Sequence, residues 1–74
     1  MNLPPAGQWA MSQVTNYISM LAKDVPPTIQ LERMVGLERM ALDPHEDFHL
    51  TPDALQHLQT ERINLQQEIF HHGG

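Results

Sequence analysis

His45, His49, Asp53 and His57 recur every four residues. Imidazole and carboxylate groups one helical turn apart are what a zinc-like cation takes as ligands, provided the helix carrying them is continuous. Here it is not. Pro52 follows Thr51, and the residue before a proline is pushed out of helical geometry, so the helix breaks between His49 and Asp53. Only Asp53 and His57 remain an i, i+4 pair. His45-Glu46-Asp47-Phe48-His49 has the letters of a His-Glu-x-x-His motif, but that motif needs its two histidines on one helix, and this stretch falls in the break between the second and third helices. The histidines are therefore read as members of a solvated acidic loop, and neither a metal nor another cofactor is expected. Nucleophilic chemistry has less support. Ser12 and Ser19 fall on the polar side of the first helix, with no base beside them, and no glycine-rich loop is present to cradle a phosphate. The chain is not expected to be an enzyme.

Those residues sit in a chain of 74 residues, enough for one domain, 1–74, with a limited core. It contains no cysteine, so disulfides cannot staple it. The core must rest on Leu, Ile, Val and five Met, because Trp9, Tyr17, Phe48 and Phe70 are the only aromatic residues. Methionine is an adaptable packer that recurs on protein-binding surfaces. The formal charge is −5, and the four basic residues, Lys23, Arg33, Arg39 and Arg62, are scattered. A nucleic-acid duplex would require a basic face, so direct nucleic-acid binding is not expected. "MNLPPAGQW" lacks the positive start and apolar run of a signal peptide, and no stretch is long and apolar enough to span a membrane. The expected location is the cytoplasm, that of the host if the chain is phage-encoded.

The spacing predicts three helices, over roughly 7–23, 27–42 and 52–71, packed as a small all-α three-helix bundle. Residues 1–6 are read as a short flexible N-terminus. In the first helix Met11, Val14, Ile18, Leu21 and Val25 alternate three and four apart. "DVPPT" breaks the chain, with Pro27 fit to open the second helix. "DPHEDFHL" is the second break. Thr51, Pro52 and Asp53 then form a strong helix start: cap, first-turn proline and an acid at the positive end. Leu55, Leu58, Leu65 and Ile69 continue as a stripe, with Ile63 and Phe70 beside it. Gly73–Gly74 reads as a helix stop. It shares only those two residues with the diglycine end of ubiquitin-like modifiers. No Asn-Gly or Asp-Gly turn lies between alternating runs, so no strands are expected.

The second helix contains Leu-Glu-Arg-Met twice, at Leu31–Met34 and Leu37–Met40. Six residues turn a helix by roughly 600°, so the two copies face different ways and are no tandem motif. The apolar residues make two stripes instead. One is Leu31, Val35 and Leu42, interrupted by Glu38; the other is Met34, Leu37 and Ala41, with Met40 at its margin. So wide an apolar arc predicts burial against two neighbours. An antiparallel hairpin turning around residues 43–50 would bring Arg62 near Glu32 and Glu38 near His57. Trp9 lies off the first helix's stripe and is read either as capping the core or as exposed to a partner.

Residues 40 to 61 hold Asp43, Glu46, Asp47, Asp53 and Glu61 and no Lys or Arg. This local negative field would steer the chain toward a basic patch. The resulting expectation is a small acidic protein–protein interaction module. It would regulate or inhibit a larger protein with a basic surface, such as a nucleic-acid-handling or transcription protein, in a phage or bacterial setting. The partner-binding residues would be Trp9, Met34, Glu38, Met40, Asp43, Glu46, Asp47 and Asp53. The alternative is a structural subunit or assembly adaptor. A homodimer is slightly favoured over a monomer. A helix-turn-helix is disfavoured, because some eight residues separate the second and third helices, where that motif has three or four.

Overall fold

The computed structural model describes residues 7–71. The N-terminal segment 1–6 and the Gly73–Gly74 stop lie outside them. The chain is a small all-α three-helix bundle, and 77% of the described residues are helical. In order, it contains β1 (Gly7–Trp9), α1 (Met11–Asp24), α2 (Pro27–Leu42), β2 (Phe48–Leu50) and α3 (Pro52–His71). The body measures 37 × 23 × 20 Å, with α3, about 30 Å long, setting its long axis.

The two strands correct the expectation of no strands and of a first helix beginning at residue 7. They pair in parallel, with Gly7 opposite Phe48, Gln8 opposite His49 and Trp9 opposite Leu50. A parallel pair needs no tight turn. Its ends are joined by a crossover, supplied here by α1 and α2, so the missing Asn-Gly signal did not bear on it. Gly7 adopts φ +143°, a value that side chains disfavour and no helix uses, and its N–H donates to the Asp47 carbonyl at 2.8 Å. Ala10 is extended and ends the strand. Its N–H is taken by the Gln13 side chain at 2.8 Å, which supplies one half of a capping box. At the other end of the ladder, Thr51 N–H donates to the Trp9 carbonyl.

Each strand thus runs straight into a helix, and the ladder carries its register into both. Residue 7 pairs with 48, and four residues into α1, Thr15 Oγ1 lies 3.5 Å from His57 Nε2 of α3. The offsets, 41 and 42, are nearly equal, so α1 and α3 run side by side in the same direction. α2 returns antiparallel between their ends. Its start matches expectation: Pro27 is the first helical residue, and the Gln30 side chain holds the Val25 carbonyl at 2.8 Å.

The core consists of Trp9, Val14, Leu21, Met34, Leu37, Phe48, Ala54 and Leu58, with Tyr17, Ile18, Val25, Ala41, Leu50 and Leu65 packed around it. Of the two α2 stripes, Met34–Leu37–Ala41 enters this core, while Leu31 and Val35 are half-buried and Leu42 is 58% exposed. Leu58 is fully buried, and Leu58→Ala is expected to cost about 2–5 kcal/mol in urea unfolding, a large share of what so small a core supplies. Gly36, in the middle of α2, is the opposite case. A Cβ there would meet nothing within 4 Å, so Gly36→Ala is expected to stabilise the fold by about 0.5–1 kcal/mol in the same assay.

Candidate interaction site

The eight residues expected to meet a partner separate into groups. Trp9 and Met34 are core residues, 8% and 2% exposed, so neither offers a free side chain. Trp9 is drawn inward by two edge-on aromatic contacts, to Tyr17 at 5.7 Å and to Phe48 at 5.4 Å between ring centres. Of the two readings of Trp9, capping the core is the one the structure matches. Met34 is inward because it belongs to the stripe that α2 turns toward α1 and α3.

Glu38 is half-buried and engaged within the chain. It accepts from Arg62 Nε on one carboxylate oxygen and from Gln59 Nε2 on the other, at 3.1 Å. The expected neighbours, Glu32 for Arg62 and His57 for Glu38, are corrected. The shift has a geometric cause. Glu38 lies four residues from the end of α2, about 6 Å, whereas Arg62 lies ten from the start of α3, about 15 Å. α3 therefore begins roughly 9 Å beyond the end of α2. The extended β2 segment carries the chain out that far to reach its partner strand, and a hairpin turning symmetrically about residue 47 ignores that detour. His57 faces α1 instead.

Met40, Asp43, Glu46, Asp47 and Asp53 are exposed. Asp43 shapes its own turn: its carboxylate takes the His45 N–H at 2.9 Å, and its carbonyl takes that of Glu46. Asp53 sits in the first turn of α3, where the Thr51 hydroxyl donates to it at 2.6 Å while accepting the Ala54 N–H at 3.3 Å. This cap is the helix start expected from Thr51-Pro52-Asp53. The Thr51 hydroxyl holds the Asp53 carboxyl below its ordinary pKa, with the Ala54 amide helping and partial desolvation opposing. Among the described residues, no three His, Asp or Glu side chains converge as a metal site. Asp53 turns to Thr51 and His57 to Thr15, so the pair expected from spacing does not act together.

Met40 has a setting that spacing did not reveal. With Trp9, Tyr17, Gly36 and Leu37 it lines an open groove of ≈480 Å³, bordered by Glu32 and Arg33. Trp9 forms its floor, and Met40, 40% exposed, its accessible wall. Tyr17, Leu37, Glu32 and Arg33 were not among the expected site residues. The groove exists because β1 lays Trp9 across the junction of α1 and α2, and nothing in the periodicity of either helix signals that placement. Three residues past Met40 the chain enters the acidic turn, so apolar groove and negative charge share one end of α2.

The chain matches no protein-family model, and no curated protein or solved structure is significantly similar to it.

The Thr51 cap leads to a pH prediction. Thr51→Val should raise the Asp53 pKa toward its ordinary value and cost about 0.5–2 kcal/mol, whereas Thr51→Ser should leave both nearly unchanged. Because the folded-state pKa is lowered, the contribution of ionised Asp53 is present above the ordinary carboxylate pKa and is lost as pH falls through the lowered value. Carboxyl-carbon NMR titration of the three proteins checks it.

Proposed function

We propose that this chain is a small acidic protein-binding module that regulates or inhibits a larger protein, and that it acts by docking rather than by chemistry. The observation that carries the reading is the groove at Trp9, Tyr17, Leu37 and Met40, beside the acidic run of Asp43, Glu46 and Asp47. An apolar hollow of this size accepts one or two large side chains from a partner, the kind of anchor on which interfaces concentrate their energy. The acids add a field that speeds encounter with a basic surface. Met40 can adjust to the inserted side chain because its thioether chain is unbranched. A partner presenting an apolar anchor flanked by Lys or Arg fits this site, and nucleic-acid-handling proteins, in a phage or bacterial setting, carry such basic surfaces. The structural-subunit reading has no separate observation in its favour at this groove.

The test uses variants outside the core. Protein captured by wild type from its native cell lysate should be identified by mass spectrometry and its binding then measured with purified components. Met40→Glu is expected to weaken binding at least tenfold, mainly through faster dissociation. The pair Glu46→Gln and Asp47→Asn should slow association and flatten its dependence on salt. Unchanged affinity of Met40→Glu for the same partner would remove the groove from the function.

A further inference from the structure

A second surface adjoins the groove along Glu32 and Gly36 of α2. Leu31, Val35, Glu38 and Leu42 follow i, i+4, i+7, i+11 spacing and share one side of that helix. On α3, Gln59, Ile63, Gln66 and Phe70 follow the same spacing. The contacts of Glu38 with Gln59 and Arg62 turn these two lines toward each other. They make one two-helix face, on which Leu42 is 58%, Ile63 45% and Phe70 76% exposed. A shallow hollow of ≈550 Å³ runs along the α2 part, lined by Thr28, Leu31, Glu32, Val35, Gly36 and Arg39.

We propose that a second copy of this chain packs antiparallel on this face, forming a twofold dimer whose α2 and α3 helices make a four-helix layer. Three features of the face argue for a copy of itself. The first is a shared centre of symmetry. The hollow is centred between residues 33 and 34, and an antiparallel copy sets Thr28 against Arg39, Leu31 against Gly36 and Glu32 against Val35. Ile63 and Phe70 are centred between 66 and 67. Because Glu38 lies level with Gln59–Arg62, the centre of the α2 hollow lies level with roughly 64–67 of α3, so one axis serves both helices.

The second feature is charge. The face itself is balanced: Glu38 is paired with Arg62, and Glu32 is matched by Arg39, which in the antiparallel copy lies about one turn away. The acids of residues 43–47 lie at one end of α2, while at the other end Lys23 and Asp24 offset each other. An antiparallel copy places each acidic end against the opposite end of its mate. A parallel copy would put the acids together. The third is Gly36. It weakens α2, and no packing within the chain requires it; opposite the Leu31 of a second copy, it lets the two helices approach. Covering this face would remove on the order of 1,000 Å² from water, the low end for specific association, so the dimer dissociates on dilution.

Sedimentation equilibrium over a concentration series, from low micromolar to near-millimolar, tests the dimer. Wild type is expected to rise from the 8.5 kDa monomer toward twice that mass. The double variant Ile63→Glu, Phe70→Glu should stay monomeric with unchanged helicity by circular dichroism. Since the chain has no cysteine, cross-linking checks the register. Gln67→Cys, near the axis, should oxidise readily to a covalent dimer, and Asn64→Cys, on another side of α3, should not. Monomer mass throughout, a dimer that survives the double variant, or equal cross-linking at both positions would each overturn the proposal. The groove adjoins this face at Glu32 and Gly36, but Ile63 and Phe70 lie on α3 and line neither the groove nor its border, so partner binding at Met40 is expected to persist in the double variant, and either proposal can fail without the other.

Discussion

The insertion of Trp9 between Tyr17 and Phe48 is the contact on which the rest of the arrangement depends. A parallel ladder of three residues per strand would not hold in water by itself. Here the indole is 8% exposed and meets both neighbouring rings edge-on. Such pairs contribute about 0.5–1.5 kcal/mol each beyond the burial of their area. Trp9 thereby fastens the chain ahead of α1 to the segment ahead of α3 and joins the last helix to the first.

The course of the helices follows from that tie. With 7 opposite 48 and 15 beside 57, α1 and α3 start together and run parallel, leaving α2 to return between them. The detour through β2 advances α3 relative to α2, which is why Glu38 meets Arg62 and Gln59. The pair is half-buried and keeps its water-facing edges. Its consequence is alignment, because it sets which stretch of α3 lies beside which stretch of α2. Every apolar side chain on the shared outer face takes its neighbours from that register.

A chain of this size cannot bury all its apolar surface. α2 shows the result most plainly. One stripe, Met34 and Leu37, is spent on the core, while Met40 borders a groove, Leu31 and Val35 border the adjoining hollow and Leu42 stays exposed. The acidic turn after α2 then charges one end of the molecule. The exposed apolar flanks arise from a helix with more apolar residues than one core can take.

Local signals were strong enough to be read directly. Pro27 and Pro52 open their helices, Thr51 caps α3, and the stripe from Val14 to Leu21 turns inward, because proline geometry, capping and helical periodicity act over a few residues. The composition and the acidic run from Asp43 to Asp53 were equally plain. What depended on residues far apart in the chain was not. Gly7–Trp9 became a strand because Phe48–Leu50, some forty residues away, offers it a ladder and a ring to pack on. Met34 moved from an expected partner contact to the core, Trp9 became a core residue that also lines a groove, Glu38 exchanged its expected neighbour for Arg62, and Met40 acquired a groove wall in common with Tyr17 and Leu37. Periodicity along one helix states which residues share a side. Only packing in three dimensions decides what that side meets, because a long-range contact has no period.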